Sequence, residues 1–331
     1  MDLLSDAFRV LGLFEIVDKK KRQRVNPAET LLVSGFWRSG TTLLMQAISK
    51  IFNRRSIYEP LHFKTEEANR FYYKNESDRQ WIPYWNDYLS DDEFFHLQEQ
   101  VLKGDLKGEW VRRHREYKVA FADPLVVKMV RSNLCLPYYE KKFTSKCILL
   151  IRHPGAVLAS IIRNKGGAAR IKAQISRSDL VRQLLRKFEN ELPIDNHFDQ
   201  YLDDVNARII LLYMIMNELP LYWKEAGFIH PLVITYEEMI ASPLEMFYGI
   251  KDYLNIDNQT SDEEILSIWK NPSGTTKKER TDISVNERLN SWRSELDSGT
   301  EEMIYQILNN GSVFPRTRNQ INQIDKLVTE N

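Results

Sequence analysis

Thr30-Leu-Leu-Val-Ser34 runs without a break into Gly35-Phe-Trp-Arg-Ser-Gly40-Thr-Thr42, and Leu43-Leu-Met-Gln-Ala-Ile-Ser-Lys-Ile-Phe52 follows. The first segment is a short apolar run of the kind that fills a buried parallel strand. The last has helical composition. A strand, a glycine turn and a helix in that order let successive backbone N–H groups point into one hollow. The helix N-terminus adds roughly half a positive charge there, so the hollow suits a phosphate-like anion. Gly35 and Gly40 keep the spacing of the nucleotide-binding pattern GxxxxGK[ST], but Thr41 stands where that pattern has lysine. The cation lies inside the loop instead, as Arg38, and should meet a group nearer the loop. Alone, the stretch would also fit a glycine turn with a surface arginine.

Working outward, a second short strand over residues 56–62 ends at Tyr58-Glu59-Pro60-Leu61-His62. Residues from about 64 to 120 are charged, aromatic and mostly helical in composition. Leu125-Val-Val-Lys128-Met-Val130 reads as a third strand, and Lys146-Cys-Ile-Leu-Leu-Ile-Arg152 as a fourth, the clearest. His153-Pro154-Gly155 then turns the chain into a helix that carries Ser160. Arg152 thus ends a buried strand, in the crevice where open α/β sheets bind ligands, and an arginine with a hydroxyl suits a monoester phosphate. The plainer alternative pairs Arg152 with an acidic loop and leaves Ser160 an ordinary small residue. Leu232-Val-Ile-Thr-Tyr236 is a fifth strand, and Pro243 opens another helix.

Strands alternating with helices predict an α/β fold, a P-loop-type mostly parallel β-sheet flanked by helices. Residues 30–331 form one domain with a helical, acceptor-side insertion over about 165–228, broken near Pro193 and kinked or ended near Pro220. Before it, residues 1–29 hold an amphipathic helix over 3–17 and a basic linker, Lys19, Lys20, Lys21, Arg22 and Arg24. The linker reads as solvated, with weak peripheral contact to an anionic membrane surface as the alternative.

Composition excludes several classes. With 13 Gly, 12 Pro, 7 Trp, 15 Tyr and 15 Phe in 331 residues, the chain can fill a core and is neither disordered nor fibrous. Its 46 basic and 46 acidic side chains cancel, which argues against binding a nucleic acid polymer. Cys135 and Cys147 make no disulfide framework and no zinc pattern, and they fit the reducing cytoplasm. No run approaches the roughly 18 apolar residues of a membrane span, and the densest, residues 209–216, reads as a buried helix. The apolar start of the chain precedes its charges, which is the wrong order for a signal peptide. Three Asn-x-Ser/Thr sequons, at Asn75, Asn258 and Asn310, then read as chance matches.

Taken together, the loop and the Arg152…Ser160 pair resemble the sulfotransferase family that uses 3′-phosphoadenosine 5′-phosphosulfate (PAPS). The loop looks like that family's 5′-phosphosulfate loop, and the Arg152…Ser160 spacing looks like its 3′-phosphate motif. The likeness extends to Val233-Ile-Thr-Tyr236-Glu-Glu-Met-Ile-Ala-Ser-Pro243 and to Ser291-Trp292-Arg293-Ser-Glu-Leu296, so it spans residues 31–296 in the expected order. Arg38, where cytosolic aryl and steroid members have lysine, and the segment Tyr58 to His62 look more like the carbohydrate sulfotransferases. Those usually carry a Golgi anchor, for which no candidate segment appears here. His153-Pro-Gly also departs from the commoner Asp-Pro-Arg, and the middle region, which usually determines the acceptor, gives no match.

The resemblance implies roles. Arg38, Ser39, Gly40, Thr41 and Thr42 would hold the 5′-phosphosulfate, Arg152 and Ser160 the 3′-phosphate, and Tyr236 the adenine. Arg280, with Trp292 and Arg293, would close over the nucleotide. No metal is required, the product would be 3′,5′-adenosine bisphosphate (PAP), and the acceptor a hydroxyl on a sugar, lipid or small alcohol. Glu59 is the first candidate for general base and His62 the second, against a salt bridge and a helix cap as their plainer roles. Lys128, with Arg38, would stabilise the sulfuryl oxygens. His114, among Arg112, Arg113 and Arg115, reads either as a site for an anionic acceptor or as part of a solvated basic face. Trp81, Tyr84 and Trp85 read either as a sugar-stacking surface or as packing. The rival functions are a P-loop kinase or nucleotide hydrolase, disfavoured by Thr41, and a non-catalytic nucleotide-binding protein.

Overall fold

The computed structural model describes residues 3–73, 82–164, 172–173, 175, 179–192, 196–257, 260–270, 284–309 and 313–330. Five strands form, β1 (Leu31–Gly35), β2 (Arg55–Tyr58), β3 (Leu125–Met129), β4 (Cys147–Ile151) and β5 (Leu232–Thr235). All pair in parallel, in the order β2-β3-β1-β4-β5. Side chains alternate between faces along each strand. Leu32, Val127 and Leu149 therefore share one core with the helices Asp92–Lys103, Leu136–Phe143 and Val205–Glu225. Leu31, Val33, Val126, Ile148, Leu150 and Ile234 share the other with the helices Thr41–Ile51 and Pro243–Leu254. Both faces are covered, which is why these strands read as unbroken apolar runs. The expected P-loop-type α/β sheet flanked by helices is the fold of this chain.

The chain leaves β1 towards β2 on one side of the sheet and leaves β4 towards β5 on the other. Strand order reverses between β1 and β4, so the crevice beyond their carboxyl ends receives both the glycine loop and Arg152.

Elements differ from the sequence expectation where a local constraint intervenes. The second strand stops at Tyr58 instead of running to His62. Glu59 takes a φ of 45°, Pro60 has no N–H to give, and the His62 N–H closes the turn on the Glu59 carbonyl at 3.1 Å. Pro220 does not end its helix but lies inside Val205–Glu225. It cannot donate to the Met216 carbonyl one turn back, and Asn133 Nδ2 donates to that carbonyl instead at 3.0 Å. Asn133 in turn accepts from Ser34 Oγ on β1 at 2.7 Å. Within the segment read as an insertion, Val205–Glu225 packs in the larger core of the sheet. Pro193 lies outside the described residues, as do Asn75, Asn258 and Asn310.

The N-terminal segment also differs. It forms two helices, Leu3–Val10 and Leu13–Lys21, broken at Gly12, whose φ is 67°. Lys19, Lys20 and Arg24 are exposed, as expected of a solvated segment, but the segment is anchored to the domain at three other residues. Asp18 is 1% exposed and faces three guanidinium groups, with Arg112 Nε and Arg115 Nη1 each at 2.8 Å and Arg55 Nε at 3.1 Å. Lys21 pairs with Asp123 at 2.6 Å and Arg22 with Asp105 at 2.9 Å. Arg112 and Arg115 are thus buried partners of Asp18 and not a solvated basic face.

Removing one member of a buried ionic cluster strands the others and costs roughly 3–5 kcal/mol. Asp18→Asn should therefore lower the unfolding free energy, read by urea denaturation, by about that amount. A loss within about 0.5 kcal/mol would mean that the cluster does not hold the N-terminal helices to the sheet.

Candidate active site

The glycine loop is held from below by aromatic packing. Phe36 is buried with its ring edge-on to Trp37 (4.9 Å) and Tyr213 (5.4 Å), and its carbonyl accepts from Ser39 N–H at 3.2 Å. Arg38 and Gly40 both sit in the left-handed region, with φ of 70° and 95°. A Cβ at Gly40 would stand 2.5 Å from Tyr236 Cδ2, so glycine is needed there both for the turn and for the ring against it. The helix Thr41–Ile51 starts without a side-chain cap, which leaves its first N–H groups directed at whatever enters the hollow. Ser39 Oγ is buried and has no hydrogen-bond partner.

The two predicted anion motifs meet. Arg38 Nε donates to Ser160 Oγ at 3.0 Å, and Arg152 Nη1 donates to the Arg38 carbonyl at 3.0 Å. The Arg152 guanidinium lies 4.1 Å from the centre of the Tyr236 ring, and Arg288 Nε donates to the Tyr236 hydroxyl at 3.1 Å. Tyr213 fixes the end of β4 by donating its hydroxyl to the Arg152 carbonyl at 2.6 Å. Burial, with the adjacent charges of Arg152 and Arg163, holds the Arg38 guanidinium below its usual range. Arg163 pairs with Glu295. Among the described residues, neither Arg38 nor Arg152 makes an ion pair, and Arg152 Nε is buried without a partner. Crowded cations, an uncapped helix and a buried hydroxyl without a protein partner are chemistry that suits an anion.

Glu237 sits behind Arg152. Its carboxylate accepts from His153 N–H at 3.1 Å. Burial pushes its pKa up to about 7, against the opposing pull of Arg152. His153 caps the helix Pro154–Arg163 through Nδ1, and the Trp292 ring stacks on it at 4.4 Å. Trp292 lies so close over the same helix end that a Cβ at Gly155 would be 2.3 Å from it. Arg293 turns away, to Glu301 at 2.6 Å and Asp325 at 3.3 Å. Arg280 lies outside the described residues.

A second charged group stands at the ends of β2 and β3. Glu59 is buried with one carboxylate oxygen paired to Lys128 and the other 3.5 Å from Arg131 Nη1. Lys128 also lies 4.6 Å from the Tyr58 ring centre. His62 stacks on Trp110 at 4.2 Å, and its Nδ1 accepts from Lys64 N–H at 3.2 Å. His114 is buried against the Tyr58 ring, and burial, with Arg113 and Lys128 nearby, lowers its pKa to about 3. His114 is thus a buried, neutral ring against Tyr58 and not part of a solvated basic face. Tyr84 packs on Phe188 at 4.9 Å and Trp85 on Phe228 at 5.4 Å, so these rings serve packing, while Trp81 lies outside the described residues. No metal-holding group of His, Cys, Asp or Glu occurs among the described residues.

Sequence reasoning missed Arg131, Tyr213, Glu237 and Arg288. Glu237 follows Tyr236 directly and Arg131 follows Lys128 by three positions, so proximity to candidates was a usable signal. Tyr213 carried none, because it lies in the run read as core.

Residues 28–305 match the family model of the sulfotransferase domain. The sulfotransferase domain from the Synechococcus PCC 7002 olefin synthase is 15% identical, with 84% of this chain and 94% of that one covered and a TM-score of 0.43. The sulfotransferase domain from the curacin biosynthetic pathway is 14% identical, with 84% and 96% covered and a TM-score of 0.42. A mouse sulfotransferase complexed with PAP is 13% identical, with 88% and 89% covered and a TM-score of 0.42. Among curated proteins, none matches.

Glu237 has a pH signature. Its pKa rises from 4.5 to about 7 on folding, so the folded chain holds a proton there that the unfolded chain has released. The stability linked to it is full below pH 4.5 and is lost as pH rises through about 7. In thermal unfolding, the melting temperature of the native chain should fall relative to that of Glu237→Gln across this window. A constant difference would show an ordinary carboxyl.

Proposed function

The chain belongs to the family of sulfotransferase domains, and from that premise we propose that it moves a sulfuryl group from PAPS to a hydroxyl acceptor. The observation that carries the donor assignment is the joined pair of arginines, Arg38 and Arg152, linked through Ser160 and the Arg38 carbonyl and making no ion pair among the described residues. The residues present fit a nucleotide with two anionic ends. Arg38, Ser39, Gly40, Thr41 and Thr42 bind the 5′-phosphosulfate, to which the buried Ser39 hydroxyl and the uncapped helix can donate hydrogen bonds. Arg152 and Ser160 bind the 3′-phosphate. Tyr236, already flanked by the Arg152 and Arg288 guanidinium groups, presents its ring to adenine. Trp292 walls this end, and Arg280 is assigned to the same nucleotide.

In sulfuryl transfer, as in phosphoryl transfer, attack is in line and the transition state loose, with charge moving to the leaving oxygen. PAPS supplies the activated sulfuryl group. Arg38 and the loop amides stabilise charge on the leaving side, and Lys128 neutralises the sulfuryl oxygens. Glu59 takes the proton from the acceptor hydroxyl as the new S–O bond forms. A loose transition state asks little basicity of that group, so a carboxylate held in place by Lys128 and Arg131 is sufficient. His62, engaged in its own turn, is the second candidate. No metal has a role in this scheme. The Glu-Pro segment and Arg38 favour a carbohydrate or glycolipid acceptor. We place the reaction in the cytoplasm, in keeping with two buried, unpaired cysteines.

Saturating PAP, at about 100 times its dissociation constant, should stabilise the fold by roughly 2.7 kcal/mol and raise the melting temperature by a few degrees. Arg152→Ala should abolish the shift. A shift with ATP and magnesium but none with PAP would replace this reading with a kinase. Glu59→Gln should cut turnover on the order of 100-fold with PAP affinity little changed, while unchanged turnover would remove Glu59 from the role. Its melting temperature is read alongside, because the change strands Lys128 and Arg131.

A further inference from the structure

Leu3, Leu4, Ala7, Val10 and Leu11 fall three, four and seven positions apart, which places them along one face of the first helix and its end. That face points to solvent: Leu3 is 90% exposed, Leu4 58%, Val10 68% and Leu11 67%. The opposite side is tied down. Ser5 Oγ accepts from Tyr117 N–H at 2.7 Å, and Phe8 packs on Tyr117 at 4.6 Å and on Phe14 at 5.5 Å. Phe121, 54% exposed, adjoins through Phe8, and Ile16 on the next helix is 50% exposed. Six of the ten large apolar side chains exposed among the described residues thus belong to this one corner. Solvent-facing apolar residues scattered singly need no account, but a concentrated patch does.

The charge around the patch is one-sided. Its acids are spent on partners, Asp6 on Arg9 (2.9 Å), Glu15 on Arg112 (3.4 Å), Glu116 on Lys50 (2.8 Å) and Asp123 on Lys21 (2.6 Å). Lys19, Lys20 and Lys118 are exposed with no such partner among the described residues. The whole chain carries no net charge, so this surplus is local. A second copy docking here face to face would set the same lysines against one another. An apolar helical stripe beside exposed lysines matches instead the interface of a bilayer with acidic headgroups.

We propose that the face Leu3, Leu4, Val10 and Leu11, with Lys19, Lys20 and Lys118 beside it, docks the enzyme reversibly on an anionic lipid bilayer. Neither component suffices alone, since stable peripheral binding takes an apolar insertion and a basic patch together. The buried Asp18 cluster makes the docking segment part of the domain, so the whole molecule follows its helix to the surface.

The full chain is sedimented with vesicles of phosphatidylcholine alone and of phosphatidylcholine with phosphatidylserine. It should pellet with the second and not the first, and added salt should release it. Leu4→Glu with Leu11→Glu, and separately Lys19→Glu with Lys20→Glu, should each weaken binding at least about tenfold. These positions are exposed, so melting temperature and the PAP-induced shift should stay as in the native chain. Equal pelleting with both vesicles, no pelleting with either, or variants that bind like the native chain would overturn the proposal. So would a solution dimer that Leu4→Glu with Leu11→Glu dissociates, which would assign the face to a second copy.

Discussion

The hydrogen bond from Arg152 to the Arg38 carbonyl holds the site together. It joins the residue after β4 to the loop after β1, and it forms because those strands are neighbours in the sheet although far apart in sequence. From that one contact the rest of the arrangement follows. Arg38 is held in a left-handed conformation with its side chain on Ser160, Tyr236 is pressed between Arg152 and Gly40, and Glu237 comes to lie behind Arg152. A conformation that most residues avoid is kept where the surroundings determine it several times over.

The molecule handles cationic charge in two opposite ways. Around Asp18, three arginines are buried with a carboxylate supplied by the chain itself, and the result is structural. Arg38 and Arg152 are only partly buried, make no ion pair among the described residues, and have Glu237 behind Arg152 rather than in contact with it. The contrast sets a cluster that folds the protein apart from the pair proposed for the nucleotide, and sequence alone, which shows only arginines in both places, cannot draw it.

That limit marks what the sequence could and could not say. The sheet was legible because its strands are covered on both faces and so are uniformly apolar, and because Gly35 and Gly40 fix the turn after the first. Arg152 and Ser160 were legible as a spaced pair, and the structure places both against Arg38. The partners of Glu59 were only half legible, since Lys128 stood on a strand while Arg131 lay beyond its end. Pro220 misled because the interior of a helix normally rejects proline, and the compensating Asn133 lies on a different element. Within the basic run after residue 18, Lys21 and Arg22 misled because their acidic partners, Asp123 and Asp105, come from the other end of a long excursion of the chain, while Lys19 and Lys20 are exposed as a solvated segment would have them.

The proline in the long helix has a mechanical meaning. With the Met216 carbonyl released from its own helix, Asn133 clasps it with one end of its amide and with the other takes the hydroxyl of Ser34, the last residue before the glycine loop's first glycine. The buried helix and the root of the loop are therefore coupled by one side chain, like a pushrod between two plates. A sideways shift of that helix would be felt at Ser34, the β1 residue from which the glycine loop starts. The one carbonyl that Pro220 frees is thus a fixed joint between the helix and the root of the loop.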